Sequence, residues 1–301
     1  MKKIGLFVAL LMISLVLVAC GEDNKTSEKE NKTITFKAES GDIQVPRAPK
    51  RVVVLSAYAG DLIKLGIHIV GVDSFSKDNP NFKKSLKDAK TVSDEDIEDI
   101  IALKPDLIIG LSTIKNQDKL KKIAPVVTFT YGKLDYLNQH IAIGKVVNKE
   151  NEAKKWAADF KKRAEKTGEQ IKAKIGADKT ISVAEKFSKE IYVFGDNWGR
   201  GTEILYQTMK LKMPDNVKKK ALKPGYYAVS PEELPNYTGD YLILNKNSAV
   251  DNSFMKTTVY QNMPAVKNHH VLEVNTKSFY FNDATTLEYQ LKTFQKFFLL
   301  K

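Results

Sequence analysis

The stretch Lys149–Ile175 limits what this chain can fold into more than any other. It contains no proline, and its apolar or small residues fall at Ala153, Trp156, Ala157, Phe160, Ala164, Thr167, Ile171 and Ile175. Gaps of three and four place these side chains on one stripe of a helix. The opposite face carries Lys154, Asp159, Lys161, Lys162, Arg163, Glu165, Lys166 and Glu169. Asn148 is suited to cap the start, and Glu150 and Glu152 to meet the positive end of the helix dipole. Lys172 and Lys174 suit the other end, and Gly176 a left-handed stop. Gly168 costs about 1 kcal/mol relative to alanine. Such a helix is roughly 40 Å long, the width of a domain. It divides the chain into segments of ordinary domain size. Residues 148–176 therefore read as a spine between two lobes, 34–147 and 177–301.

Both flanks alternate strand and helix, the pattern of an α/β fold with parallel sheets. In the first flank, Arg51–Ser56, Ile69–Val72, Asp106–Ile109 and Pro125–Phe129 read as strands, and Tyr58–Leu65, Asp96–Leu103, Lys115–Ile123 and Leu134–Val147 as helices. In the second, Ile181–Ala184, Ile191–Phe194, Tyr241–Leu244 and Val271–Val274 read as strands, with helices at Thr202–Met209 and Thr285–Leu300. One repeat links them. Glu98 precedes Asp106-Leu107-Ile108-Ile109 by the same spacing as Glu232 precedes Asp240-Tyr241-Leu242-Ile243. An acid at a helix start is favoured by the dipole. On two equivalent lobes, Glu98 and Glu232 also form a symmetric pair suited to a two-fold partner with basic pockets.

The N-terminus reads as an address. Lys2 and Lys3 precede the apolar run Ile4–Val18, which is shorter than the ~20 residues of a comfortable membrane span. Residues 1–19 fit a signal peptide. Leu17-Val18-Ala19-Cys20 resembles a lipobox, with Cys20 as the lipidated residue, and residues 20–33 read as a polar tether. Cys20 is the only cysteine, so disulfides and thiolate-built metal sites are excluded. The formal charge is +12. An exported chain with scattered lysines uses that charge as a solvated surface, not for nucleic acid.

The richest chemistry lies in Tyr192-Val193-Phe194-Gly195-Asp196-Asn197-Trp198-Gly199-Arg200-Gly201. Arginine occurs only at Arg47, Arg51, Arg163 and Arg200, among 48 basic residues. Arg200 thus stands out, two residues after a tryptophan in a glycine-rich loop. A guanidinium is a planar fork that binds oxygen atoms and stacks on aromatic rings. The glycine spacing is not that of a phosphate loop. Tyr58, Tyr131, Phe279, Tyr280 and Phe281 follow other strands. A cleft built from these is aromatic with few charges, suited to a sizeable, nearly neutral ligand.

Taken together, Cys20, Pro46–Val53, Leu65–Val72, Lys104–Ile109 and Gly195–Gly201 resemble the iron-siderophore-binding lipoproteins of ABC importers. The likeness is greatest to the ferric hydroxamate (FhuD-type) group of Gram-positive bacteria. The resemblance implies two Rossmann-like lobes joined by one rigid helix, the helical-backbone type of periplasmic-binding-protein fold. It implies a monomer, lipid-anchored on the outer face of the cytoplasmic membrane, that holds an iron(III)-siderophore complex between its lobes and uses no cofactor. Tyr131, Tyr192, Trp198, Arg200 and Tyr280 fall on pocket positions. Phe279 and Phe281 stand where close relatives tend to place tyrosine. Glu98 and Glu232 match the acids that dock on permease arginines. Three hydroxamates neutralise Fe(III), so one arginine is enough; a tri-anionic catecholate would ask for several cations.

The residues also admit other readings. Direct Mn or Zn binding would draw on His68, His140, Glu203 and Asp283, while His269-His270 reads as a turn pair. Haem and cobalamin are ligands conceivable on the same fold. An enzyme would need a nucleophile–base set, and no G-x-S-x-G, H-E-x-x-H or phosphate loop is present.

Overall fold

The computed structural model describes residues 32–300; the signal-type segment, Cys20 and the tether up to Asn31 lie outside the described residues. The described chain opens with a hairpin, β1 (Thr33–Ala38) and β2 (Gly41–Pro46), in a stretch that the sequence reading places almost wholly in the first lobe without assigning it strands. There follow β3 (Val52–Val54), α1 (Ala59–Lys64), β4 (Ile69–Val72), α2 (Ser74–Lys77), β5 (Lys90–Thr91), α3 (Ile97–Ala102), β6 (Leu107–Leu111), α4 (Gln117–Leu120), β7 (Val126–Phe129) and α5 (Tyr136–Val146). The strands form a parallel sheet in the order β5-β4-β3-β6-β7. Every residue of β3, β4 and β7 is buried, as expected where helices cover both faces.

The spine is α6 (Glu150–Ile175), and its buried face is Ala153, Ala157, Phe160, Ala164, Thr167, Gly168 and Ile171. Two local expectations fail. Asn148 is not the cap: it sits at φ 56° and ends α5, with its N–H donating to the Lys145 carbonyl at 3.2 Å. Gly168 is not a mere weakness either. A Cβ there would lie 2.4 Å from the Met209 carbonyl oxygen, so the residue lets another backbone pack directly on the spine.

Beyond the spine come β8 (Ile181–Phe187), β9 (Glu190–Phe194), a π-helical segment (Glu203–Thr208), α7 (Asp215–Ala221), β10 (Tyr226–Val229), β11 (Tyr241–Lys246), α8 (Thr258–Gln261), α9 (Pro264–Lys267), β12 (Val271–Asn275), α10 (Thr276–Phe279) and α11 (Ala284–Leu299). The sheet order is β10-β9-β8-β11-β12. It is mixed, not a second parallel sheet: β9 runs antiparallel to both β8 and β10. The two residues Ser188-Lys189 between β8 and β9 allow only a hairpin, because a parallel crossover needs a dozen or more.

The internal repeat has a structural basis. Asp106, just before β6, accepts the Lys50 and Arg51 N–H groups at 2.6 and 3.0 Å, where the chain enters β3. Asp240, just before β11, accepts the Thr180 N–H and hydroxyl, each at 2.9 Å, where it enters β8. Each aspartate ties the starts of two central parallel strands.

Helix α11 fastens the two halves together. The Ala284 N–H donates to Asp61 on α1 at 3.0 Å, and the Thr285 hydroxyl to the Gly60 carbonyl at 2.7 Å. Further along, Glu288 accepts from Arg163 and Trp156 of the spine at 2.8 Å each. Asp283 caps α11 through the Thr286 N–H at 2.9 Å. Burial, and then the charge of Asp61, push its carboxyl from 3.8 up to about 8. The folded chain keeps a proton there that the unfolded chain releases above about pH 4. Its contribution to stability is therefore complete below that pH and is lost as pH rises through the folded value. Asp283→Asn keeps a capping oxygen without the proton. Its melting temperature should fall less steeply than the parent's between about pH 5 and 8; parallel curves would assign the proton elsewhere.

Candidate functional site

Because β9 is antiparallel to β8, the glycine-rich loop leaves the sheet beside the start of β8 and must turn back across it. Three successive residues with positive φ make the turn: Gly199 at 69°, Arg200 at 59° and Gly201 at 86°. A left-handed arginine is costly and is held from several sides. The Arg200 N–H donates to the Phe279 carbonyl at 2.9 Å. Buried Glu203 accepts the Gly199 N–H at 2.8 Å, the Asn282 amide at 2.9 Å and the Thr202 hydroxyl at 3.0 Å. Burial raises the Glu203 carboxyl above its ordinary range despite these donors.

The loop aims the Arg200 side chain. Its Nε–H donates to Glu185 Oε2 at 2.7 Å and Nη1 to the Trp198 carbonyl at 3.0 Å. The guanidinium carbon lies 4.2 Å from the Tyr280 ring centre and 5.0 Å from that of Phe194. Nη2 has no hydrogen-bond partner among the described residues, and the side chain is 11% exposed. The group is thus fixed, nearly dry, and still able to donate.

Arg200 borders a cavity of about 380 Å³. The first half of the chain contributes Ser56, Ala57, Asp73, Phe75, Leu111 and Tyr131; the second contributes Trp198, Arg200, Tyr280 and Phe281. Tyr280 stacks on Phe75 at 5.3 Å, and Tyr131 meets Trp198 edge-on at 5.6 Å. The Tyr131 hydroxyl donates across the cleft to the Asn197 carbonyl at 3.1 Å. A row of rings continues outward from Trp198 through Tyr226 and Tyr192 to Phe187, at spacings of 5.4, 5.1 and 5.4 Å. Behind Tyr131 a second cavity of about 260 Å³ is lined by Tyr58, Gln139, Glu203 and Asn282, among others.

Of the residues expected at a pocket, Tyr131, Trp198, Arg200, Tyr280 and Phe281 come together. Tyr192 lies one ring removed, beyond Tyr226. Phe279 is corrected: its ring is fully buried against Tyr289 and Phe294, and it serves the site only through its carbonyl. Successive residues of a helical turn point about 100° apart, so Phe279 and Phe281 cannot both flank Tyr280 in the cleft. Asp73, Phe75, Leu111 and Glu185 were not found from the sequence, and Glu203, named there only as a metal-ligand candidate, braces the loop instead. The adjacent charges Glu185-Lys186 inside the run Ile181–Phe187 were the available signal for Glu185.

Glu98 is exposed on α3, and Glu232 is exposed in a turn rather than in a regular helix. The histidines and acids weighed as metal ligands are dispersed. His68 is exposed. His140 is buried, with Nδ1 2.8 Å from Asp61 and its ring against Trp156. Glu203 braces the loop and Asp283 caps α11. His270 stacks on Tyr241 at 4.1 Å. Among the described residues no three His, Cys, Asp or Glu side chains group as metal ligands.

A two-lobed α/β chain with a rigid connecting helix and an aromatic cleft between the lobes has the architecture of a substrate-binding protein. The sequence pattern of the family described as periplasmic binding protein matches residues 52–277, and this chain belongs to that family. It is 38% identical over 305 residues to the iron(3+)-hydroxamate-binding protein FhuD of Bacillus subtilis, an alignment covering 97% of this chain and 96% of the relative. Among solved structures it is similar to the FhuD protein from S. pseudintermedius (TM-score 0.78, 40% identity, 90% of this chain and 99% of that one). It is also similar to FhuD2 from Staphylococcus aureus with bound ferrioxamine B (TM-score 0.79, 36% identity, 84% and 99%).

Proposed function

We propose that the protein is the substrate-binding lipoprotein of an ABC importer, capturing Fe(III)-hydroxamate siderophores between its lobes and passing them to the permease. The observation that carries this reading is the fixed guanidinium of Arg200 in an otherwise aromatic cleft. Its free Nη2 can donate to the iron-bound hydroxamate oxygens, while Trp198, Tyr280, Phe75 and Phe281 cover the apolar linkers. The siderophore supplies the iron ligands, so the protein binds the complex without ligating the metal, and no catalytic step is involved. Similarity to the hydroxamate-binding relatives supports the same reading.

The test is tryptophan fluorescence of a lipid-free chain starting near Lys25, titrated with ferrioxamine B, ferrichrome, a ferric catecholate, haemin, cobalamin, Mn(II) and Zn(II). Saturable quenching by the ferric hydroxamates is expected. A response to Mn(II) or Zn(II) with none to any siderophore would overturn the reading.

The delivery half of the reading places Cys20 as the lipid anchor on the outer face of the cytoplasmic membrane. Exposed Glu98 and Glu232 are the contacts of the monomer with basic pockets on the two permease subunits. Glu98→Ala and Glu232→Ala should each leave the dissociation constant unchanged and cut cellular uptake, with the double variant inactive. Loss of binding in solution by either would remove the docking assignment.

A further inference from the structure

Glu185 lies on β8 opposite Tyr192, 3% exposed, and among the described residues Arg200 is its ion-pair partner. A carboxylate that deep must be paired, yet a buried pair is seldom the most stable filling for its space. The effect of this one falls on the cleft. Glu185 uses the Arg200 Nε–H and leaves Nη2 uncommitted, so the charge of the guanidinium is compensated while its donors still face the ligand. Across the cavity stands a second carboxyl, Asp73, which accepts the Ser76 N–H and hydroxyl at 3.0 and 2.6 Å. Among the described residues no lysine lines the cavity, although the chain carries a formal charge of +12. One cation therefore faces two acids inside a strongly basic protein.

We infer that Glu185 sets the charge of the ligand: by compensating Arg200 without blocking it, this residue makes the cleft select an uncharged ferric chelate over an anionic one. The inference rests on the ferric-hydroxamate reading above. A neutral trihydroxamate complex carries partial negative charge on its iron-bound oxygens and needs donors, which Arg200 provides. A triply negative tris-catecholate complex must also shed the water around its net charge, and a compensated arginine gives no Coulombic return for that loss. Glu185 acts through Arg200 and is a positioning and charge-setting residue.

The experiment is a charge series on the wild type and Glu185→Gln. The probes are ferrioxamine B, whose ammonium arm adds one positive charge, neutral ferrichrome, and a ferric tris-catecholate. Glutamine keeps an acceptor for the Nε–H and removes the charge. In the wild type, affinity should fall sharply from ferrichrome to the catecholate. In Glu185→Gln the ratio of catecholate to ferrichrome affinity should rise by about tenfold or more, since like-charge and opposite-charge placement governs such discrimination. The gain should shrink with added salt, and ferrioxamine B should weaken relative to ferrichrome. Asp73→Asn, which retains the helix cap, should shift the series in the same direction and serves if Glu185→Gln does not fold. Loss of affinity by one common factor for all three probes, with no salt dependence, would reduce Glu185 to a structural residue and overturn the inference. A wild type that binds the catecholate as tightly as ferrichrome would overturn it too. A wild type that binds neither hydroxamate would instead remove the functional reading beneath it.

Discussion

Arg200→Ala should weaken ferric hydroxamate binding by roughly 10- to 150-fold, the loss of a charge-assisted hydrogen bond of about 1.5–3 kcal/mol. Little of that energy is screened, because the side chain is 11% exposed. The same substitution strands Glu185 in the interior, and removing one member of a buried pair costs about 3–5 kcal/mol of stability. The variant should therefore bind poorly and also melt early. Arg200→Lys separates the effects. It keeps a cation near Glu185 but loses the planar fork that lies on Tyr280, so its stability should recover further than its affinity. Fluorescence titration and thermal melts read both quantities. An Arg200→Ala affinity within about threefold of the parent would mean that the guanidinium does not touch the ligand.

The second large effect comes from Gly199. Its φ is +69°, and a Cβ would sit 2.2 Å from the Tyr280 carbonyl oxygen. Backbone cannot yield there as a flexible side chain could, because Phe279 and Phe281 on either side are held by Gln290 through their carbonyls at 3.1 Å. Gly199→Ala should lose roughly 3 kcal/mol or more of stability. It should also displace Tyr280 from Arg200 and so impair binding. Gly66 is a matched control: it has the same φ of +69°, and among the described residues nothing lies within 4 Å of its Cβ. Gly66→Ala should lose only the backbone term, about 1–2 kcal/mol. Denaturant midpoints for the two variants measure the difference. Equal losses would mean that the loop is free to move away from Tyr280.

How much of this could be read from sequence depends on whether the signal was local. The spine was legible because a helical stripe is written at regular spacing, and Ala153, Phe160, Ala164 and Ile171 are buried as that stripe requires. Asp106 and Asp240 were legible because two strand starts pose the same problem twice. Arg200 was visible through the scarcity of its type. What escaped is what tertiary contact decides. Gly168 looked like a defect until Met209 was placed against it. Asp73 and Phe75 belong to the short helix α2 and its cap, where no periodicity develops. Phe279 was put on the wrong side of its turn, because an apolar residue beside Tyr280 fits a cleft wall and a core equally well until α10 gives it a direction. The mixed second sheet was not expected, although even the six residues between the strand-like runs ending at Ala184 and starting at Ile191 are too few for a parallel crossover.

The fastening of α11 has a kinetic meaning. Its start is bonded to Asp61 and Gly60 of the first lobe, and its middle to Arg163 and Trp156 of the spine, so one rod of the second lobe is riveted to both. Separating the jaws widely would break buried hydrogen bonds with nothing to replace them. Such a body resembles a mould more than a trap, because opening it would break the bonds of α11. Under the delivery role proposed above, the sign of a filled cleft would then lie at its open lip, beside Trp198 and Tyr131, more than in the angle between the halves.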